Sequence, residues 1–323
     1  IELDPIGNVY ARLAGTGTAP PLVVSAHLDT VFPLSTDLTP QRTQERIYGP
    51  GIGDNSTGLA GLFGLCWALS TEAIALPGDL WLVANVGEEG MGDLAGMRAV
   101  VDRFGERVRA YVILEGMALG QIYHRALSVE RYRLTVKTNG GHSWVDYGRP
   151  SAIHILAALI NQFTQISLPA NPRTTMNVGT IQGGVSINTI APQAAKELDL
   201  RSASPTVLAS LVQQFETLVA NARQPGIELS RELIGLRPGG ALPANHWLVR
   251  LAQRCLRAHG LQPILNIGST DANIPLSRGY PAVCIGMTTG SGAHTSSEYI
   301  LTRPVAAGLR QLIDIVQQVY TFR

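Results

Sequence analysis

Four short apolar runs in the sequence end at residues that could bind a metal or move a proton. The residues concerned are His27 with Asp29, Glu88 with Glu89, Glu115, and His294. Runs this rich in Val, Ile and Leu are typical of strands buried on both faces of a parallel sheet. Ligands of such sheets bind beyond the carboxyl ends of the strands. We therefore expect these side chains to meet at one edge of a sheet.

Each of these residues also has a structural interpretation. His27 with Asp29 alone favours a core histidine beside a loop aspartate. Glu88 and Glu89 are either part of a solvated loop or a buried pair, which would need a cation or a proton. Asp54, in the glycine-rich stretch 51–58, is suited to cap a helix predicted over 59–69. A cap leaves the glycines unexplained, and glycines at this density indicate backbone that comes close to another group or adopts an unusual conformation.

Taken together, the residues favour a metal site. The set offers nitrogen and oxygen ligands without a thiolate, which suits zinc, with cobalt and manganese as alternatives; its members are His27, Asp54, Glu89, Glu115 and His294. Three carboxylates and one hydroxide would balance two divalent cations, which leaves Glu88 over. A spare carboxylate beside an activated water is suited to act as a general base.

The elements that must position these residues follow an α/β pattern. Short apolar runs alternate with helix-length amphipathic stretches, which predicts a mainly parallel sheet. Between residues 128 and 238 the order is βαββαβ, the ferredoxin-like arrangement, with strands over 131–138, 174–181, 196–201 and 227–236 and helices over 150–168 and 205–223. We therefore predict a discontinuous metal-binding domain of residues 1–127 and 239–323, interrupted by an inserted domain of residues 128–238.

Composition excludes several classes of protein. Of 323 residues, 45% are apolar and 15% are charged, so a large core is easily formed and disorder is not expected. The net charge of +1 predicts no nucleic-acid partner and no anionic membrane partner, and no apolar run approaches the ~20 residues of a membrane span. The three cysteines, Cys66, Cys255 and Cys284, are predicted to be buried thiols rather than disulfides or zinc ligands.

The chain begins at Ile1, without a methionine and without a signal-like segment. We therefore expect an upstream piece to be missing and the protein to be cytoplasmic.

Five motifs, in this order, resemble the two-zinc amidohydrolase and metallopeptidase family of glutamate carboxypeptidase, acetylornithine deacetylase, succinyl-diaminopimelate desuccinylase and tripeptidase. They are SAHLDTV at 25–31, GDNSTG at 53–58, EEG at 88–90, LEG at 114–116 and AHTSSE at 293–298. Each motif is weak alone, but together, with the inserted βαββαβ unit, they cover essentially the whole chain.

The resemblance implies a role for each of these residues. His27 and Glu115 would bind one metal, Glu89 and His294 the other, and Asp54 would bridge the two. It further implies that Asp29 orients His27, that Glu88 is the general base, and that the peptide bond after Asp54 is cis.

The insert carries three further residues of the family pattern. By resemblance, His142 stabilises the oxyanion in the active site of a partner subunit, while Asn188 and Arg201 hold the carboxylate of the substrate. The insert would then be a lid and dimerisation domain of a homodimer. The alternatives for Asn188 and Arg201 are an ordinary turn and an arginine on a sheet face. Trp144 stands where many deacylases of the family carry a small residue, so the resemblance does not determine the shape of the pocket.

The predicted function is therefore that of a zinc-dependent metallopeptidase or deacylase. It would cleave an amide bond in short peptides or N-acyl amino acids that carry a free carboxylate, through a metal-bound hydroxide and a glutamate base. One alternative is a co-catalytic zinc aminopeptidase, which needs a free substrate amine. The other is a catalytically silent binding protein on the same scaffold.

Overall fold

The structure, a computed structural model, describes residues 1–322. It divides into two compact units. The first unit combines Ile1–Ala126 with the residues from Gly240 onward, and the second unit is Leu127–Gly239.

The first unit contains a large mixed sheet and a separate, smaller four-stranded sheet. Numbered along the whole chain, its strands are β1 (Glu2–Leu3), β2 (Val9–Leu13), β3 (Leu22–His27), β4 (Gln41–Arg42), β5 (Arg46–Tyr48), β6 (Leu80–Asn85), β7 (Ala110–Glu115), β8 (Gln121–Ala126), β15 (Gly240–Ala241), β16 (Ile264–Gly268), β17 (Ala282–Gly286), β18 (Gly290–Ser291) and β19 (Tyr299–Leu301). Its helices are α1 (Thr57–Thr71), α2 (Ala95–Phe104), α5 (Trp247–Ala258), α6 (Asn273–Ser277) and α7 (Val305–Gln318).

The centre of the large sheet is parallel. Its order is β1-β2-β6-β3-β7-β17-β8-β15, and β16 pairs with β8. The pairs β6–β3, β3–β7 and β7–β17 are parallel, whereas β1, β2 and β15 add antiparallel edges. β3, β7 and β17 are buried along almost their whole length, as their unbroken apolar sequences predict. The predicted mainly parallel α/β fold is confirmed.

The register of the parallel strands brings their carboxyl ends to one level. His27, at the end of β3, pairs with Asn85 at the end of β6, and Glu115, at the end of β7, pairs with Gly286 at the end of β17. Because all four strands run in the same direction, the loops that follow them leave from one edge of the sheet. The segment after β6 carries Glu88 and Glu89.

Helices cover the sheet and close the core of the first unit. α1 packs against β3 and α7, α5 packs against α7, and α2 packs against α6. The helix predicted over 59–69 is α1, and the strand predicted around Cys284 is β17. Within the described residues, no helix combines the length and the apolar character needed to cross a bilayer. All three cysteines are free, with Cys255 and Cys284 buried and Cys66 half-buried.

The second unit is a four-stranded antiparallel sheet with two helices. Its elements are β9 (Ser128–Lys137), β10 (Gly141–His142), α3 (Ala152–Thr164), β11 (Thr174–Gly183), β12 (Thr189–Ile190), β13 (Gln193–Ser202), α4 (Pro205–Asn221) and β14 (Glu228–Arg237). The sheet order is β11-β13-β9-β14, and β10 pairs with β12 separately. Its long strands and helices follow the predicted order βαββαβ. β13 alternates buried and half-buried residues, since one face of the sheet packs on α3 and α4.

Candidate metal centre and active site

Asp54 lies between the two histidines at the edge of the large sheet. Its Oδ1 is 3.1 Å from Nε2 of His27, and its Oδ2 is 3.0 Å from Nε2 of His294. His27 Nε2 is also 3.9 Å from Oε2 of Glu115, and His294 Nε2 is 3.2 Å from Oε1 of Glu89. The five residues therefore form two groups that share Asp54, one with His27 and Glu115 and the other with Glu89 and His294.

The dimensions of both groups suit a small cation. Within each group, one ligand atom from every residue lies within 4.8 Å of the others. Two atoms bound tetrahedrally to one zinc-sized ion at ~2.0–2.1 Å are about 3.3 Å apart. The shortest nitrogen–oxygen distances in the two groups, 3.1 and 3.0 Å, lie close to that value.

His27 is held in the orientation that a metal ligand needs. It is buried at the end of β3, and its Nδ1–H donates to the main-chain carbonyl of Asp29 at 3.0 Å. In the neutral imidazole, the form that binds a metal, this hydrogen bond leaves the lone pair on Nε2, which faces Asp54 and Glu115. In the protonated imidazole, Nε2–H donates to Asp54 instead. The resemblance assigned this orienting role to the Asp29 side chain, whose Oδ1 is 3.7 Å from Nδ1. In the structure the acceptor of this hydrogen bond is the main-chain carbonyl of Asp29.

The Asp29 carboxylate positions the two adjacent glutamates. Its Oδ1 accepts the amide of Glu88 at 3.1 Å, and its Oδ2 accepts the amide of Glu89 at 2.8 Å. Glu88 is buried, at 5% exposure, which excludes the solvated-loop interpretation for this residue. Its carboxylate falls within 4.8 Å of ligand atoms of His27 and Glu89. Glu88 is therefore placed within reach of both groups.

Asp54 does not cap α1. The helix begins at Thr57, and its first-turn amide at Gly58 donates to Oδ1 of Asn55 at 3.1 Å, while the Asp54 carboxylate faces the two histidines. The Asp54–Asn55 peptide bond is cis, as the resemblance implies. The predicted close approach of the glycine-rich stretch is confirmed, because a Cβ on Gly116 would lie 1.8 Å from the carbonyl oxygen of Gly53. A larger residue at Gly116 would push the Asp54 segment away from the end of β7.

Glu298 supports the same segment from the opposite end of the chain. Its Oε1 accepts the amides of Gly53 and Asp54 at 2.7 and 2.8 Å, and its Oε2 accepts the amide of Gly51 at 3.0 Å. In the sequence, Glu298 ends the AHTSSE motif, which by itself indicates no role for it. Its carboxylate meets these amides only in the folded chain, so only the motif pointed to it.

The pKa values of the carboxylates in the site shift in opposite directions. Burial and the negative charges of Asp54 and Glu88 raise the pKa of Glu89 to about 7. Burial, with the charges of Asp54 and Glu88, also raises the pKa of Glu115 well above its ordinary value. The pKa of Asp54 is lowered in spite of its burial, because it accepts hydrogen bonds from His27 and His294. Three carboxylates in one site therefore need added positive charge, from protons or from cations.

A further buried acid interacts with the site. Asp271 is fully buried, and its Oδ2 accepts a 2.7 Å hydrogen bond from Nδ2 of Asn85, at the end of β6. Burial and the charge of Glu88 raise the pKa of Asp271 to about 7. In the sequence, Asp271 ends a GSTD motif at 268–271 that resembles the family's glycine-rich loop near the substrate, but the resemblance gives Asp271 no defined role.

The remaining predicted site residues belong to the second unit. His142 is exposed at the end of β10, and Asn188 is exposed in the loop before β12. Arg201, on the half-buried face of β13, donates from Nε and Nη2 to the two oxygens of Asp199 at 2.6 and 3.1 Å. The guanidinium is thus held in a fixed orientation by a neighbour on its own strand.

Known proteins resemble this chain over nearly its whole length. It is 24% identical over 338 residues to the acetylornithine deacetylase of Shigella sonnei, covering 98% of this chain and 86% of the relative. Among solved structures, a tripeptidase from Staphylococcus aureus superposes with a TM-score of 0.81 at 23% identity, over 97% of this chain and 84% of that one. The Bacillus subtilis YXEP protein, a dinuclear metal-binding peptidase, superposes with a TM-score of 0.69 at 16% identity, over 98% of this chain and 87% of that one.

At these identities the solved structures show a shared fold. The family follows from a direct sequence match: the model of Peptidase family M20/M25/M40 matches residues 23–318, which include all the residues that form the two groups around Asp54. The chain therefore belongs to Peptidase family M20/M25/M40 and is a hydrolase of amide bonds.

Proposed function

We propose that the first unit binds two divalent metal ions and that the protein hydrolyses an amide bond in short peptides or N-acyl amino acids that carry a free carboxylate. The observation that carries this proposal is the position of Asp54. Its two oxygens face two different histidines at 3.1 and 3.0 Å, which is the arrangement that a carboxylate bridging two cations requires.

The chemistry of the residues fits such ions. Two imidazoles and three carboxylates are the nitrogen and oxygen ligands that zinc, cobalt and manganese accept. The raised pKa values of Glu89 and Glu115 come from burial and from repulsion by Asp54 and Glu88, and bound cations would offset both effects. The dinuclear metal-binding peptidase YXEP shares this fold. His27 and Glu115 would hold one ion, Glu89 and His294 the other, and Asp54 both.

When bound, the two ions would polarise the scissile carbonyl and acidify a water molecule. Glu88 would take the proton from the attacking water and pass it to the nitrogen of the leaving amine, so that a carboxylic acid and a free amine are the products. Its buried position, close to His27 and Glu89, keeps the proton near the reacting atoms. His142 would donate a hydrogen bond to the carbonyl oxygen as negative charge develops there.

Arg201 and Asn188 would bind the free carboxylate of the substrate. A guanidinium forms paired hydrogen bonds to a carboxylate in one plane. Arg201 presents its Nε and one Nη to Asp199, so its orientation is set before a substrate arrives. This assignment favours substrates with a free carboxyl terminus over those with a free amino terminus alone.

The second unit would serve as lid and dimerisation domain, with a homodimer formed through β11. Both edges of its sheet are open to pairing in principle, but they differ in charge. The outer strand β14 carries charged side chains at Glu228, Arg231, Glu232 and Arg237, whereas β11 carries none and exposes Ile181. Charges on an edge strand oppose pairing with another strand, so β11 is the edge suited to a second copy.

A substrate panel tests the proposed activity. Protein stripped with a chelator would be reloaded with zinc, manganese or cobalt and given dipeptides, tripeptides and N-acyl amino acids, each with a free and an amidated carboxyl terminus. Hydrolysis that requires metal and a free carboxylate supports the proposal. Cleavage only of substrates with a free amine supports a co-catalytic aminopeptidase, and no hydrolysis with any metal supports a silent binding protein.

A further inference from the structure

His142 is tied to the loop that follows it through its own ring. Nδ1 accepts the main-chain amide of Trp144 at 3.2 Å and that of Val145 at 3.4 Å. A ring nitrogen that accepts hydrogen bonds must carry the lone pair, so in the neutral imidazole the proton is on Nε2. The loop therefore selects one of the two tautomers and leaves Nε2–H as the outward donor.

Asp146 closes this loop back onto His142. Its Oδ2 accepts the amide of His142 at 2.8 Å, and its own amide donates to the carbonyl of His142 at 2.9 Å. The guanidinium of Arg149 pairs with the other carboxylate oxygen of Asp146 at 2.8 Å. One side chain thus binds the loop to the residue at which the loop begins.

The base of the loop is anchored as well. His142 pairs with Thr189 in the short β10–β12 ladder, and the amide of Ser143 donates to the carbonyl of Asn188 at 3.0 Å. Gly141, which precedes His142, has a φ of +150°, and a Cβ there would lie 2.8 Å from the Asp146 side chain. The glycine is therefore needed for Asp146 to reach the His142 amide.

We propose that Asp146 is a positioning residue for catalysis: by closing the 142–146 loop it holds His142 as a preoriented Nε2–H donor for the carbonyl oxygen of the substrate. This inference rests on the proposed function, in which His142 stabilises that oxygen. Asp146 itself touches no substrate. The proton stays on Nε2 throughout, since the ring acts as a hydrogen-bond donor only.

The physical advantage is preorganisation. His142 is exposed, and an exposed imidazole without partners rotates and exchanges between its tautomers. A donor that is already oriented costs no reorganisation when charge develops on the substrate, and loss of one such donor lowers rates by about 10²–10³-fold. Loosening the donor without removing it should cost less, about tenfold in kcat, with little effect on KM.

Nuclear magnetic resonance tests the tautomer without any reference to activity. The zinc-loaded protein would be labelled with ¹⁵N-histidine, and the His142 signals would be identified by their loss in His142→Gln among the 7 histidines. Multiple-bond ¹H–¹⁵N spectra distinguish a protonated Nε2 from a protonated Nδ1. We expect Nε2–H for His142 in the wild type and a mixture of tautomers in Asp146→Ala. An Nδ1–H signal in the wild type would overturn the inference.

Kinetics on a substrate cleaved by the wild type provide the second readout. Asp146→Ala should lower kcat about tenfold and leave KM and metal content unchanged. Asp146→Asn keeps an oxygen for the His142 amide and should stay within about threefold of wild type in kcat. Arg149→Gln is the matched control, because it removes the ion pair but not the Asp146 oxygen, and should behave like Asp146→Asn.

Two kinetic results would contradict the inference. One is an unchanged kcat in Asp146→Ala, and the other is a kcat in Asp146→Asn and Arg149→Gln as low as that of Asp146→Ala. If Asp146→Ala does not fold, Asp146→Ser replaces it, since the shorter side chain cannot span the same contact. A wild type that shows the Nε2–H tautomer but hydrolyses no substrate would instead contradict the proposed function.

Discussion

The carboxylate of Glu298 accepts the main-chain amide of Asp54 at 2.8 Å, across 244 positions of sequence. The same oxygen accepts the amide of Gly53 at 2.7 Å, and the second oxygen accepts that of Gly51 at 3.0 Å. Three amides on one buried carboxylate fix the backbone that carries Asp54. The residue shared by the two metal-binding groups is thus held by a residue outside both groups.

This support predicts a loss of metal affinity when Glu298 is changed. Glu298→Ala leaves the three amides without their acceptor, and loss of such supporting partners lowers metal affinity by about 10–100-fold. Zinc affinity would be measured by competition with a chromophoric chelator. Glu228→Ala, which removes an exposed partner of Lys137, is the control and should bind zinc like the wild type. Equal affinity in Glu298→Ala would show that the Asp54 segment needs no such support.

Substitutions of the two adjacent glutamates, Glu88 and Glu89, should have different effects on activity and on zinc content. Glu88→Gln removes the proposed base and should lower kcat by at least about 10²-fold while zinc remains bound. Glu89→Gln removes a proposed ligand and should lose zinc as well as activity. Metal analysis of the purified variants and initial rates on the same dipeptide separate the two effects. Full activity in Glu88→Gln would remove Glu88 from the mechanism.

Arg201 should matter only for substrates that carry a carboxylate. Arg201→Met is expected to raise KM about 10–100-fold for such substrates, the loss of a charge-assisted pair of hydrogen bonds, and to leave their amidated analogues unaffected. Arg133→Met changes an arginine that pairs instead with Glu197 and Glu232 and serves as the control. A rise in KM that is equal for acid and amide would mean that Arg201 does not recognise the carboxylate.

The proposed dimer should depend on the uncharged edge of β11. Ile181→Lys places a charge on that edge, which opposes strand pairing, and should give a monomer by light scattering, whereas Ile181→Val should stay dimeric. A monomeric Ile181→Lys protein that keeps its Tm would show that the change acts on assembly. Dimerisation of both variants alike would exclude β11 as the interface.

A shared active site has a separate test in mixed dimers. His142→Ala should lower kcat while sparing metal content, and Glu88→Gln should be inactive. If each active site takes His142 from the partner subunit, a dimer of one chain of each kind contains one intact site. Mixing and reassociation should then restore part of the activity. Mixtures no more active than their components would mean that His142 acts, if at all, within its own chain.

Lys196 predicts a pH-dependent stability in the second unit. It is 1% exposed, and its Nζ has no hydrogen-bond partner among residues 1–322 and lies 3.6 Å from the centre of the Phe163 ring. Burial lowers its pKa from 10.5 to about 7. Between pH values of about 7 and 10.5, Lys196 is protonated in the unfolded chain and neutral in the folded chain. The free energy of unfolding therefore decreases as pH falls through this range, by at most about 5 kcal/mol.

Lys196→Met should therefore raise Tm, and by more at pH 7 than at pH 10. Below the folded pKa both states carry the proton, so the gain should stop growing there. Thermal melts at several pH values would show this trend. Lys137→Met, at an exposed lysine paired with Glu228, should show no such trend. A Tm gain for Lys196→Met that is the same at pH 7 and pH 10 would mean that Lys196 is charged in the folded protein.

The sequence by itself determined the local elements and the order of the fold. Runs of Val, Ile and Leu became β3, β6, β7 and β17, and the βαββαβ pattern appeared in the second unit, because strand and helix preferences depend mainly on nearby residues. The residues after those strands could be named in advance, since parallel strands deliver their carboxyl ends to one edge. The motif resemblance then supplied roles that spacing alone left open.

Only the tertiary structure decided how these residues meet. Asp54 divides its oxygens between His27 and His294, and Glu298 supports the Asp54 backbone. Both arrangements depend on contacts between distant segments. Such contacts have no periodicity along the chain, because a hydrogen bond needs proximity in space and not in sequence. The choice of the Asp29 main chain over its carboxylate as the partner of His27 also depends on the folded geometry, although the two residues are neighbours in sequence. The burial that raises the pKa values of Glu89 and Glu115 likewise exists only in the folded chain.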